Sequence, residues 1–193
     1  MKYRLLAASL IVPSLFASGV VAQDEPVDPS ENESQQVFES LFADKIAAAR
    51  ASFIKTDDVA LANELLAAAR ESSDHKELLG LLCDAAADLG GRHPDGYETA
   101  IEALQLLSEH VAERHNDAAT KKLMLRRRQY SAARTIELKR QFGKLLVSDY
   151  LTAADGSEAA EDYTMAIQHM RNALQMATYT KAENKDQIAL RYK

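Results

Sequence analysis

The sequence predicts an all-α protein in which antiparallel helix pairs stack as a short α-solenoid, with a bundle of longer helices as the alternative architecture. Three observations carry that expectation. Ala, Leu, Glu, Lys and Arg dominate the 193 residues, 47% of which are apolar and 27% charged, a composition of strong helix formers. Aromatics make up 6%, Trp is absent, and 7 Gly with 4 Pro are too few turn residues for a many-stranded β protein. From Phe38 onward, apolar residues recur three and four apart almost without a break, the spacing that gathers them on one face of a helix.

The chain opens on a different kind of segment. Lys2 and Arg4 precede an apolar run over 5–22 that ends in Val20, Val21 and Ala22, which reads as a secretory signal peptide cleaved near Ala22. A transmembrane anchor is the competing reading. It is disfavoured because the run is at the lower limit for a span, contains Pro13, Ser9, Ser14 and Ser18, and is followed by acids. The expected mature chain is soluble and exported, periplasmic or extracellular, with no transmembrane segment. Residues 23–37 are rich in Asp, Glu, Pro, Ser and Asn and bury too little apolar surface to offset the entropy of ordering; they are expected to form a disordered acidic leader. The helical repeat domain then occupies 38–193. Its single cysteine, Cys83, cannot close an internal disulfide and reads as a small buried hydrophobe.

The helices follow in order. Phe38, Leu41, Phe42, Ile46 and Ala49 make a first apolar face, and Val59, Ala62, Leu65, Leu66 and Ala69 a second. Thr56-Asp57-Asp58 is expected to cap that second helix, and Ser72-Ser73-Asp74 a third that carries Leu78, Leu82, Ala86 and Leu89. The clearest break is Gly90-Gly91-Arg92-His93-Pro94-Asp95-Gly96, after which Tyr97, Ala100, Ile101, Leu104 and Leu107 restart a helical face. The stretch 117–154 holds no Pro and one Gly, Gly143, and so reads as one or two long helices bent near Tyr130. A last amphipathic helix over 184–193, with Ile188, Leu190 and Tyr192, is expected to cap the end of the stack.

Leu82, Gly90 and Tyr97-Glu98-Thr99-Ala100-Ile101-Glu102-Ala103-Leu104 resemble a tetratricopeptide (TPR) helix pair: a large residue on the first helix, Gly at the turn, then Tyr-x-x-Ala-Ile-Glu opening the second. A second pair is similar to the same family, with Leu146 and Tyr150, a turn at Asp155-Gly156, then Tyr163-Thr164-Met165-Ala166-Ile167, Met170 and Ala173-Leu174. An N-terminal pair with Ala62, Leu66 and Ala69 fits more loosely, and the matches together cover 41–112 and 142–176. Small Ala residues let two helices approach closely while Leu104 fills the gap between neighbouring pairs. Tyr97, Tyr130 and Tyr163 stand 33 residues apart and invite a further repeat around Ala133. That register would bury Glu137 and Arg140 without partners, so the repeat is rejected. The resemblance implies a concave surface, lined by the first helix of each pair, that holds a peptide or protein segment. Where the carboxylate-gripping version of the family carries Asn, this chain has Asp84 and Ser148, which argues against a terminal carboxylate as the partner.

Charge is distributed unevenly. Over 121–144, nine cations (Lys121, Lys122, Arg126, Arg127, Arg128, Arg134, Lys139, Arg140 and Lys144) stand against Glu137. The segment is formally +8 in a chain of −6, which leaves the rest of the mature protein at −16. Lys121, Lys122, Arg126, Arg127, Arg128 and Arg134 are therefore a candidate basic interaction patch for an acidic protein or for anionic envelope material, lipid headgroups or wall polymer. The competing reading is a solvated helix face whose cations offset acidic neighbours. Expected export, and the lack of interleaved aromatics beyond Tyr130, argue against nucleic acid as the partner.

Catalytic parts are not found in the sequence. It contains no glycine-rich phosphate loop, no Gly-x-Ser-x-Gly elbow and no paired cysteines for zinc. His110 and His115 are five residues apart and so do not share a helix face as residues four apart do. The functional expectation is an exported, non-catalytic module for protein–protein interaction or scaffolding that needs no cofactor. The alternative is binding of an anionic envelope surface through 121–144.

Overall fold

The computed structural model describes residues 29–52 and 54–192. Among these, every regular element is helical: α1 (Pro29–Ala51), α2 (Lys55–Glu71), α3 (Lys76–Gly90), α4 (Tyr97–His110), α5 (His115–Ala132), α6 (Ile136–Ala159), α7 (Tyr163–Thr180) and α8 (Lys185–Tyr192). Single 3-10 turns at Pro94–Gly96 and Ala112–Arg114 lead into α4 and α5. The expected signal peptide lies outside the described residues, as does the start of the leader. The remainder of the leader differs from expectation, because α1 already begins at Pro29 and residues 29–37 are helical. Proline is compatible with a first helical turn, where its missing N–H would have had no partner. Further along α1, Phe42 and Ala49 are buried, with Phe38 and Ile46 packed beside them, and these anchor the helix from which the polar N-terminal half extends.

Consecutive helices pack as antiparallel neighbours through the faces that the three-and-four spacing marks. Ala100 (0% exposed), Leu104 (1%), Ala166 (3%) and Met170 (3%) all point inward. Leu41 departs from its expected face and is exposed, because α1 lies mainly on α3 and only lightly on α2. In the N-terminal half, helices two apart also touch, α1 with α3 and α2 with α4; beyond α4 each helix packs on its chain neighbours. Two apolar cores result. The first joins α1–α4 with Ala118 and Leu125 of α5, and the second joins Leu123 of α5 with α6, α7 and Ile188 of α8. Helix α5 is thus the connector, giving one side to each core.

Several local expectations are corrected. The Thr56-Asp57-Asp58 segment lies inside the first turn of α2 and provides no side-chain cap; Ser52 Oγ instead donates to Asp57 at 2.9 Å. Ser72 closes the end of α2 through the Ala68 carbonyl at 2.9 Å, and α3 starts only after His75. Gly156 lies within α6, and the turn falls at Ala160–Asp162, where Glu161 takes a left-handed φ of 59° and Asp162 accepts from the Met165 N–H at 3.0 Å. The long polar stretch is two helices, broken at 133–135, and Glu137 and Arg140 are exposed as their rejection from a core register required. Among its described side chains, helix α8 adds Ile188 to the core, while Arg191 reaches back to Asp155 and Glu158 of α6.

Gly143 is where α5, α6 and α7 crowd together. A Cβ there would meet the Thr180 methyl and come within 3.4 Å of Met176 Sδ and Tyr130 Cε2. Gly143→Ala is expected to cost about 1–3 kcal/mol through overpacking, and Thr180→Ser in the same chain should recover most of it by removing the methyl. Urea unfolding of the two single variants and the double variant checks this.

Candidate functional site

The structure divides the predicted basic patch into internal and free cations. Arg126 is buried: its Nε lies 3.2 Å from Asp149 of α6, and its Nη1 donates to Gln129 at 2.7 Å and to Glu98 of α4 at 3.3 Å. Lys122 completes the group at 3.1 Å from Asp149. Lys121 pairs with Asp117 at 2.8 Å and stands 3.9 Å from Asp84. These three cations are therefore occupied in joining α4, α5, α6 and α3. Arg127, Arg128 and Arg134 are exposed and form no ion pair among the described residues. The six do not form one continuous free surface.

Arg128 instead belongs to a groove of about 740 Å³. Tyr97 and Leu104 of α4 line it together with residues of α3 and α5. Asp84, Ala87, Asp88 and Gly91 of the α3 side form one wall, and Lys121, Met124, Leu125 and Arg128 of α5 form the other. Lys55 and Arg92 also line the groove. The acids on this rim are already engaged: Asp84 with Arg114 at 3.0 Å, and Asp88 with Arg50 at 3.0 Å and Arg92 at 2.9 Å. Lys55 and Arg128 have no such partner. Met124, 50% exposed, offers a pliable apolar contact on the α5 wall. The groove thus combines an apolar floor with a rim that is net positive.

A second depression, of about 250 Å³, brings together residues from three helices: His115 and Asn116 of α5, Ser157 of α6, Asp162 at the start of α7 and His169 within it. The His169 Nδ1 is buried without a hydrogen bond, and its ring centre lies 6.2 Å from that of Tyr150. Burial lowers the His169 pKa, with Asp162 opposing in part. Since the native state favours the neutral ring, the unfolded chain binds the proton more readily. Stability is therefore expected to fall as pH drops from the unfolded histidine value, about 6.5, through the lower native value, and to be fully present above 6.5. Thermal unfolding followed across pH 4–8 should show a flatter profile for His169→Gln. No group of three or more His, Cys, Asp or Glu among the described residues is placed to hold a metal ion. Cys83 lies in the first core, and burial, followed by the Asp84 charge, pushes its thiol up to about 12. It is protonated and inert at neutral pH.

No helix among the described residues is long and apolar enough to cross a membrane. Comparison with known proteins finds no matching family model, no matching curated protein and no matching solved structure.

Proposed function

We propose that this chain is an exported, non-catalytic binding module, TPR-like in construction, that holds a peptide or protein segment in the groove between α3 and α5. The observation that carries the reading is the groove itself. It is open, its floor is apolar, and its free charges are the cations Lys55 and Arg128. The ligand chemistry that fits is an extended or helical segment with one large apolar anchor for the Met124–Leu125 wall and acidic residues beside it. The family resemblance supports the same reading, since α3 is the first helix of one of the matching pairs and the resemblance puts the ligand surface on such helices. Two contacts of the kind that stack one pair on the next, α1 with α3 and α2 with α4, agree with it.

A photo-crosslinking residue in place of Met124 tests the proposal in cells. Discrete protein adducts should form there and not at Thr164 on the outer side of α7, and Arg128→Glu should reduce their yield. Adducts at Thr164 in place of Met124 would overturn it. Export is checked separately: the mature protein should be recovered outside the cytoplasm with an N-terminus close to Gln23. An intact Lys2–Arg4 terminus on cytoplasmic protein would remove the exported part of the reading and leave the groove untouched.

A further inference from the structure

We propose that the corner formed by the α5–α6 turn and the end of α7 is a docking surface for an anionic lipid bilayer. This surface is independent of the α3–α5 groove and lies at one end of the second core. Helix α5 ends there, α6 begins, and antiparallel α7 returns to it, the three meeting at Gly143. Arg140 and Lys144 of α6 line one depression together with Lys181, a cation that 36 residues of chain separate from Lys144 and that only the fold brings beside it. Lys181 is held in a left-handed conformation at the close of α7, with φ of 56°. Arg127 lines the neighbouring depression with Tyr130 and Tyr179, whose rings meet edge to face at 6.4 Å. None of these cations forms an ion pair among the described residues.

Charge alone would suit any polyanion; the apolar groups at the same corner favour a bilayer. Thr135 caps α6 by accepting from the Leu138 N–H at 3.2 Å, which fixes the turn, and the turn leaves Ile136 65% exposed and Leu138 40% exposed. Exposed Arg134 precedes them and Lys139 follows. Aliphatic side chains ringed by Arg and Lys, with an exposed Tyr179 alongside, match a headgroup layer above acyl chains: cations meet phosphates, tyrosine sits at the interface and aliphatics enter below. Glu137 is the acid in this ring, and the segment after α7 is balanced, Lys181 and Lys185 against Glu183 and Asp186. The rest of the mature chain is strongly acidic, so repulsion elsewhere turns this corner toward an anionic surface.

Each cation near an anionic leaflet strengthens binding by about fivefold. Co-sedimentation of the full chain with phosphatidylglycerol–phosphatidylcholine vesicles, with pure phosphatidylcholine as baseline, should show binding to the anionic vesicles that weakens as salt rises. Arg140→Gln with Lys144→Gln should reduce it by about 25-fold. The charge-matched pair Lys45→Gln with Lys76→Gln, on α1 and α3, should leave it within twofold. Ile136→Ser should weaken vesicle binding while leaving binding to soluble polyphosphate unchanged. Equal loss from both charge pairs overturns the proposal in favour of bulk charge. An Ile136→Ser variant that binds vesicles like the wild type overturns it in favour of a soluble or wall polyanion.

Discussion

Replacing Arg126 with Ala is expected to lower the stability of the chain by about 3 kcal/mol, the usual loss when one member of a buried ion pair is removed. The guanidinium joins three helices, through Asp149 on α6, Glu98 on α4 and Gln129 on its own helix. Its removal leaves the Asp149 carboxylate buried with only Lys122, and leaves Gln129 and Glu98 without their shared donor. The loss is a penalty for stranding these groups rather than the net worth of the pair. It follows that removing both ends should be milder: Arg126→Met with Asp149→Leu is expected to cost less than the sum of the two single variants. Guanidinium unfolding of the four chains measures the coupling. Additive losses would show that the network does not act as a unit. Because it lies where the two cores meet on α5, the Arg126→Ala chain should also lose cooperativity, with single-tyrosine versions that report from Tyr97 in the first core and from Tyr150 in the second showing distinct transitions.

The all-α fold was legible because most helices have one buried face, and one face is what a three-and-four spacing records. Ala100, Leu104 and Leu107, or Ala166, Met170 and Ala173, are read correctly for that reason. Helix α5 has two faces to satisfy. Leu125 points to the first core and Leu123 to the second, while Arg126 and Gln129 fill the junction through hydrogen bonds. No single apolar stripe can arise from that arrangement, so the helix reads in sequence as a basic, solvated rod. The same cause hid the division of the basic patch. Arg126 and Arg127 are adjacent in the chain, yet about 100° of helix separates a buried anchor from an exposed cation. The partners that decide which is which, Asp149 and Glu98, lie 23 and 28 residues away. Lys181 and His169 were invisible as site residues because nothing local marks them; their neighbours are supplied by helix packing alone. The cap assignments failed for a different reason. Ser72 has two backbone termini within reach, and its hydroxyl bonds backward to Ala68 rather than forward to α3.

In the α3–α4 turn, two of the three glycines, Gly90 and Gly96, are required by distance from each other and not by conformation. Gly96 has φ −96° and ψ −5°, which any residue adopts, yet a Cβ on it would lie 2.5 Å from the Gly90 carbonyl oxygen and 2.8 Å from Gly90 Cα. A Cβ on Gly90 would meet the Gly96 oxygen at 2.8 Å and Ala100 Cβ at 3.2 Å. These obstacles are largely backbone, so no rotamer change relieves them, and α3 and α4 must move apart along the seam where Leu82, Ala86, Ala100 and Leu104 are packed. Gly96→Ala is therefore expected to cost about 3 kcal/mol, at the upper end of overpacking losses. Gly80, in the middle of α3, is the contrasting case. A Cβ there meets only Leu107 Cδ1 at an ordinary 3.9 Å, so Gly80→Ala should raise stability by about 0.5–1 kcal/mol through the lower entropy cost of ordering Ala in a helix. Two Gly→Ala changes in neighbouring segments thus have opposite expected signs, and urea midpoints decide both. A neutral Gly96→Ala would mean that the helices can separate freely at this turn, and close packing of α3 on α4 would no longer explain the spacing of small and large residues along them.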